Sequence, residues 1–363
     1  MENTQQKRGF VAFLNKRGIT LSPKVYFVDA MSAMALGLFA SLLMGTIFGT
    51  IAKLVPEGNV LFDFFENVRS FGSSATGAVI GVAIAYSLKA PPLVLFSAGV
   101  VGMLGNALGT TVLFEGAAKS VSAGPLGAFI CVLVAVEVGK LVSKTTKVDI
   151  LVTPAVTLAT GTLIGMLLCP AAAWGMYWLG YFIDYATGLY PFVMGIIISV
   201  VVGIVLTLPI SSAALCAMIG ISGIAGGAAV VGCCAQMVGF AVISFRENRW
   251  GGVVAQGLGT SMLQMGNIVK NPKIWIPPTL ASAVIGPLST CLFKLECSGV
   301  SAGMGTCGMV GPLGIITDMG ISLTSISGIV VLCIAAPAVL SLLFSELMRA
   351  IGWIKEGDMK LVL

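Results

Sequence analysis

Long uninterrupted apolar stretches dominate this sequence and limit what the chain can fold into. Each stretch holds about 18 to 25 residues, as in 30–54 and 324–347, and a helix of that length crosses a hydrocarbon core about 30 Å thick. The stretches lack the alternation of polar and apolar residues that a membrane β-barrel requires. We therefore predict an all-α integral membrane protein, not a soluble enzyme.

The composition agrees with a membrane protein. Hydrophobic residues make up 57% of the chain and charged residues 10%, whereas a soluble domain is about 25% charged. The chain contains no histidine, so histidine acid–base catalysis is excluded. Its 9 cysteines lack metal-binding spacing and are typical of small packing residues. The glycine cluster at 223–227 lacks the Lys-Ser/Thr of a nucleotide-binding loop. We expect no metal, no other cofactor and no nucleic-acid partner.

The polar leader at 1–25 carries several basic residues among hydrophobic ones. They are Lys7, Arg8, Lys16 and Arg17. We predict a cytoplasmic basic amphipathic segment that lies on anionic lipid; the simpler alternative is a positive tail that only sets the topology. The apolar run that follows begins too late and is too long for a cleavable signal peptide, so it is predicted to remain as the first span.

The positions of the basic residues predict about ten spans with both termini in the cytoplasm. The spans lie near 29–54, 73–88, 91–114, 121–139, 150–169, 190–209, 251–269, 274–293, 301–320 and 324–346. The aromatic-rich segment 174–185 is predicted to lie along the membrane interface, and the glycine-rich segment 211–244 to form a re-entrant hairpin. Four basic residues are exceptions because this topology places them outside: Lys53, Arg69, Lys270 and Lys273.

An internal repeat divides the membrane region. A shift of 181 positions (247 − 66) superposes three pairs of rare charged residues. The pairs are Glu66 and Glu247, Lys89 and Lys270, and Glu115 and Glu296. We therefore predict two repeats, 26–188 and 189–350, followed by a cytoplasmic tail at 351–363. With about five spans each, an odd number, the repeats would have inverted topology.

Inverted repeats usually bind their solute where proline- or glycine-broken helices face a cavity. Such breaks occur at 89–92, 208–212 and 270–278. The candidate solute ligands are Glu296, Glu115, Asn271, Ser211, Ser212, Gln264, Asn267 and Asn106. We predict that Glu296 faces a polar cavity formed with the breaks at 271–278 and 211–212. The alternatives are a pair between Glu296 and Lys294 at the membrane edge, and polar side chains that only hold helices together.

Three motifs carry a resemblance to a known family. They are Leu-Pro-Ile-Ser-Ser-Ala-Ala at 208–214, Asn-Pro-Lys-Ile-Trp-Ile-Pro-Pro at 271–278 and Gly-Met-Gly-Thr-Cys-Gly at 303–308. With them the chain resembles stand-alone bacterial phosphotransferase-system IIC-like membrane proteins, including those named as perfringolysin regulators. The resemblance implies a homodimer in the bacterial cytoplasmic membrane. It also implies a bound sugar or similar hydroxylated solute, which a phosphocysteine on a separate IIB protein would phosphorylate.

Three functions are compatible with the sequence. The first is a solute permease of the IIC type, which the repeat, the broken helices and the resemblance favour. The second is a membrane sensor that regulates transcription without net transport, because phosphotransfer domains are missing from this chain. The third is an ion-coupled secondary transporter. In each case any phosphotransfer would need a separate protein.

Overall fold

The computed structural model describes residue 14 and residues 17–52, 55–114 and 117–361. Helices make up most of it. In chain order they are α1 (Val25–Ala52), α2 (Val60–Ser74), α3 (Thr76–Ser87), α4 (Pro92–Ala107), α5 (Gly124–Val142), α6 (Asp149–Thr187), α7 (Pro191–Thr207), α8 (Ser212–Ile219), α9 (Gly223–Ile243), α10 (Phe245–Val254), α11 (Met265–Lys270), α12 (Pro272–Phe293), α13 (Gly299–Ala302), α14 (Val310–Met319) and α15 (Leu323–Ala350). Two strands, β1 (Gly109–Phe114) and β2 (Ala117–Ser122), form a hairpin between α4 and α5.

Among the described residues, six helices are long and apolar enough to cross a membrane. The pair α2 and α3, bent by 54°, would be a seventh crossing if it acts as one span. The prediction of a helical, multi-pass membrane protein is confirmed, with the β1–β2 hairpin as an addition that the sequence did not indicate. The ten spans and the inverted repeat are not confirmed, and two of the ten predicted spans are corrected below.

Helix α6 is longer than expected. Its 39 residues join the predicted fifth span to the segment predicted to lie on the interface, and they include Pro154 and Pro170. A proline interrupts one backbone hydrogen bond, and neighbouring groups in a membrane bundle can satisfy the freed carbonyl. The aromatic end of α6 remains largely exposed, as at Trp178 and Tyr185. A belt of exposed aromatic rings is typical of a helix end at the lipid headgroups.

The chain forms two compact units. The first contains Met1–Leu38, Ala75–Thr110 and Ser122–Ala173, and the second contains Phe39–Ser74, Thr111–Val121 and Trp174–Leu363. In the first unit, α3, α4 and α5 pack through glycines. A Cβ atom on Gly102 would overlap the carbonyl oxygen of Gly77, and one on Gly127 would overlap that of Gly105. Small residues at these crossings allow the backbones to approach closely.

The leader meets the end of α5 in the first unit. The Nζ of Lys140 donates to the carbonyl oxygen of Gly18 at 3.2 Å and to Glu137 Oε1 at 3.3 Å. Arg17 Nη1 donates to the carbonyl oxygen of Ser143 at 2.9 Å. The leader and the basic loop after α5 therefore lie at the same end of this unit, as the charge pattern predicts. Which side of the membrane they occupy stays a prediction, and Lys7, Arg8 and Lys16 lie outside the described residues.

Helix α9 is the central helix of the second unit, because 89% of its most apolar 18-residue stretch is buried. Helix α7 runs parallel to it, since Gly203 packs on Gly232 and Thr207 Oγ1 lies 3.5 Å from Gln236 Oε1. Two parallel helices require a return path, which 208–222 provides through the short α8. The segment predicted as a re-entrant hairpin at 211–244 thus consists of this short return and one continuous helix of 21 residues.

The span predicted near 251–269 is wrong, because this stretch begins and ends at the same place. Asn248 Nδ2 donates to the carbonyl oxygen of Met359 at 2.8 Å, and Asn271 Nδ2 donates to Asp358 Oδ2 at 2.7 Å. Both ends therefore meet the C-terminal tail. Between them the helix breaks into a π-helical turn, Ala255–Gly259, and a 3₁₀ turn, Ser261–Gln264. We call 245–271 the first re-entrant segment.

This correction accounts for two of the four charge exceptions. Lys270 and Lys273 now lie beside the tail that carries Lys355 and Lys360, so these four basic residues lie at one end of the second unit. A third exception, Arg69, is paired with Glu66, which offsets its charge. The fourth, Lys53, lies outside the described residues.

The span predicted near 301–320 is also wrong. Cys297 donates its N–H to the carbonyl oxygen of Gly223 at the start of α9, and the N–H of Glu296 lies 3.2 Å from Met319 Sδ. The chain between them reaches the middle of α9, where Thr306 Oγ1 lies 3.6 Å from Met237 Sδ. We call 294–320 the second re-entrant segment. Its reversal uses positive φ angles at Gly305 and Gly308, which glycine adopts without strain. Met309 also has a positive φ angle.

Candidate functional site

The two re-entrant segments enter the second unit from opposite ends of α9 and meet beside its middle turns. The turn Ala255–Gly259 of the first contacts the turn Cys307–Met309 of the second. Ser261 Oγ lies 2.8 Å from Thr207 Oγ1 on α7. Broken helices whose free backbone groups face a cavity, not lipid, are the usual solute sites of membrane transporters. The second unit therefore brings two broken segments together, and a solute site at this place stays a prediction.

A cleft of about 580 Å³ opens beside the second re-entrant segment. Its walls come from α1, α2 and that segment, with Thr46, Thr50, Glu66, Arg69 and Met304 among its lining residues. Pockets that hold small molecules commonly measure about 300–1,000 Å³. The cleft therefore has room for a solute of sugar size. A second cleft of about 430 Å³, on the other side of α1, is lined almost entirely by apolar atoms.

An ion pair supplies the main polar groups of the larger cleft. Arg69 Nε donates to both carboxylate oxygens of Glu66 at 2.8 Å, and a further bond joins Nη2 to Oε1. The two side chains are 48% and 37% exposed, so each keeps hydrogen-bonding capacity toward the cleft. A carboxylate accepts and a guanidinium only donates. Together they can bind neighbouring hydroxyl groups, and bonds to ionised groups are stronger than neutral ones.

Glycine positions Arg69 in the cleft. Gly49 of α1 lies against the aliphatic stem of Arg69, and a Cβ atom there would overlap Arg69 Cδ. Gly45, one turn earlier, lies so close to α2 that its Cβ would be 3.1 Å from the carbonyl oxygen of Arg69. This Gly-xxx-Gly spacing brings the two helices together. The guanidinium therefore extends past α1 to the cleft.

We expect Gly49→Ala to weaken solute binding about three- to tenfold. The new methyl group must displace Cδ and Cγ of Arg69, and this shifts the guanidinium in the cleft. An alanine favours the helix by up to about 1 kcal/mol, which offsets part of the cost of that displacement to stability. Titration calorimetry and thermal unfolding of the purified variant measure the two effects. The control is Gly175→Ala on α6, where an added Cβ meets no atom within 4 Å. Equal affinities for the two variants would contradict this positioning.

One predicted ligand, Ser212, contacts the second re-entrant segment, and its neighbour Ser211 caps a helix. Ser212 Oγ donates to the carbonyl oxygen of Gly303 at 2.7 Å, and Ser211 Oγ accepts the N–H of Ala214 at 3.2 Å to cap α8. Glu296 lies in the same segment and is exposed. Next to it, the Cys297 side chain is fully buried.

The other predicted ligands lie elsewhere. Gln264 and Asn267 lie together, with Asn267 Nδ2 donating to Gln264 Oε1 at 2.8 Å. Asn271 lies at the tail end of α9 and Glu296 at the other, so they do not share one cavity. Asn106 packs beside Gly77 in the first unit, and Glu115 lies outside the described residues. Solute contacts by any of the eight stay predictions.

Glu66 and Arg69, which line the larger cleft, were not among the predicted ligands, although the sequence singled out both. Glu66 aligns with Glu247 in the predicted internal repeat. Arg69 is one of the basic residues that the predicted topology places outside. The repeat partner of Glu66 has a different environment: Glu247 Oε1 accepts from Arg349 Nη2 at 3.0 Å, with side chains only 3% and 11% exposed. Glu247 therefore links α10 to α15 through an ion pair, whereas Glu66 faces a cleft.

The comparison with protein families identifies the chain over nearly its whole length. The family model described as Phosphotransferase system, EIIC matches residues 28–361. No curated protein and no solved structure matches the chain. The family match covers both re-entrant segments, the cleft and the C-terminal tail, and it confirms the resemblance that the three motifs indicated. The chain is a multi-pass membrane protein that belongs to the phosphotransferase system EIIC family.

Proposed function

We propose that this protein is a phosphotransferase-system permease that binds a sugar or similar hydroxylated solute in the cleft beside the second re-entrant segment. The observation that carries the proposal is the meeting of two broken segments next to a cleft with a carboxylate and a guanidinium. The family supports a sugar-type substrate. We further propose a homodimer in a bacterial cytoplasmic membrane, with both termini in the cytoplasm.

The chemistry of the cleft suits a neutral, hydroxyl-rich solute. Glu66 would accept hydrogen bonds from hydroxyl groups while Arg69 donates to hydroxyl or ring oxygens. Each bond to a charged group contributes about 1.5 to 3 kcal/mol. Thr46 and Thr50 donate to carbonyl oxygens of their own helix at 2.8 and 3.0 Å, so their hydroxyl oxygens remain as acceptors. Phosphorylation would follow at the cytoplasmic end, where a solute hydroxyl would attack the phosphorus of a phosphocysteine on a separate IIB protein. The P–S bond would break, the cysteine would leave as a thiolate, and the hydroxyl proton would pass to water.

Uptake into proteoliposomes tests this function. Purified protein would be reconstituted and offered radiolabelled sugars, with and without phosphorylated IIB protein and with and without a proton gradient. We expect phosphorylated sugar to accumulate only when IIB protein is present. Accumulation of unmodified sugar driven by the gradient would indicate an ion-coupled transporter instead. Saturable binding without uptake under any condition would indicate a sensor.

A further inference from the structure

The C-terminal tail binds back along the first re-entrant segment. Residues 353–361 form turns but no helix or strand, and side-chain amides hold their backbone. Gln264 Nε2 and Asn267 Nδ2 donate to the carbonyl oxygens of Met359 and Lys360, each at 3.0 Å. Asn248 binds on both sides, donating to the carbonyl oxygen of Met359 and accepting the N–H of Leu361, each at 2.8 Å.

Asn271 completes the set at the other end of the tail. Its Nδ2 donates to the carbonyl oxygen of Trp353 at 3.1 Å and to Asp358 Oδ2 at 2.7 Å. We call Asn248, Gln264, Asn267 and Asn271 the amide row, and residues 353–361 the strap. Because the row contacts mainly main-chain atoms, it recognises the backbone of the strap more than a particular sequence. Main-chain bonding of this kind is typical of peptide-docking surfaces.

Few side chains anchor the strap. Met359 and Ile354 are the buried ones, at 0% and 2% exposure, and Lys273 Nζ lies 5.0 Å above the ring of Trp353. Most other strap residues are exposed. Hydrogen bonds between amides and carbonyls can be exchanged for bonds to water on release. The strap can therefore leave the row while the surrounding helices stay folded.

We propose that the strap is a releasable C-terminal segment that closes the amide row, and that release opens the row to a hydroxylated solute. Carboxamides bind hydroxyl groups as readily as they bind peptide carbonyls. The row lies on the segment whose middle turn meets the second re-entrant segment. The hydrogen bonds described above support the closure of the row by the strap. That release lets a hydroxylated solute bind to the row rests on the proposed function.

Hydrogen exchange of the full-length protein in nanodiscs tests the closure. We expect the wild-type amides of 353–361 and 263–271 to exchange at least about tenfold faster than those of α9, because the strap opens without global unfolding. Met359→Lys removes the main anchor and should accelerate both segments about tenfold further. Glu356→Gln alters the charge by the same amount at an exposed strap position and should change neither. A second undocked form, truncated after Gly352, checks the first.

Strap amides that exchange only as slowly as α9 would overturn the proposal, as would acceleration that spreads to α9 in both undocked forms. Sugar uptake gives a separate result. We expect the undocked forms to transport about three- to tenfold faster than Glu356→Gln, and equal rates would overturn the gating role. If no form takes up any sugar, the proposed function fails, whereas the exchange result still decides whether the strap is releasable.

Discussion

Lys140→Met is expected to lower the free energy of unfolding by about 3 to 5 kcal/mol, because it leaves a largely buried carboxylate without its cationic partner. The side chains of Lys140 and Glu137 are only 2% and 16% exposed. Lys140 also donates to the carbonyl oxygen of Gly18, so the change releases the leader from α5 as well. Thermal unfolding in a fixed detergent measures the loss.

The double variant Lys140→Met/Glu137→Leu separates the ion pair from simple packing. With both charges absent, no uncompensated charge remains, and a buried pair replaced by apolar residues is often neutral in stability. We expect it to recover most of the loss. The control is Arg246→Met, which breaks the exposed pair with Glu346 and should cost less than about 1 kcal/mol. If Lys140→Met costs no more than this control, Lys140 is not a structural partner of Glu137.

Hydropathy identified the apolar segments of the chain, but it did not distinguish segments that span from segments that turn back. The runs at 251–269 and 301–320 are apolar enough for a span, but glycines and buried amides divide them. Gln256 Nε2 donates to Ser244 Oγ at 2.9 Å, and its Oε1 accepts from Gln264 Nε2 at 2.9 Å. Hydropathy averaged over a segment does not detect these hydrogen-bonded pairs. The pairs satisfy the buried polar groups of a chain that turns back.

The amide row shows a different limit of sequence reading. The sequence predicted Gln264 and Asn267 as solute ligands, and that role stays a prediction. Their hydrogen-bond partners are backbone oxygens of Met359 and Lys360. Every residue has a backbone carbonyl oxygen, so the sequence does not reveal which ones these side chains bind. Only the fold brings the tail there. The same reason explains the cleft, since α1, α2 and Met304 of the second re-entrant segment are far apart in sequence.

Glu66→Gln is expected to weaken solute binding about ten- to a hundredfold while leaving stability nearly unchanged. Glutamine keeps the volume and one acceptor oxygen but loses the charge. Each charge-assisted hydrogen bond from a solute hydroxyl contributes about 1.5 to 3 kcal/mol, and about 1.4 kcal/mol corresponds to a tenfold change in affinity. The pair with Arg69 is partly exposed, so its loss costs the fold less than about 1 kcal/mol.

A matched carboxylate in the same unit provides the control. Glu346 pairs with Arg246 at 3.1 Å and is 45% exposed, close to the 37% of Glu66, but it does not line the cleft. Glu346→Gln removes an equal charge from a comparable pair. Titration of each purified variant with the sugar found in the uptake experiment, alongside thermal unfolding, compares them. Equal affinities would show that the cleft is not the solute site and would move attention to the exposed Glu296 and to the hydroxyl of Ser212 at the second re-entrant segment.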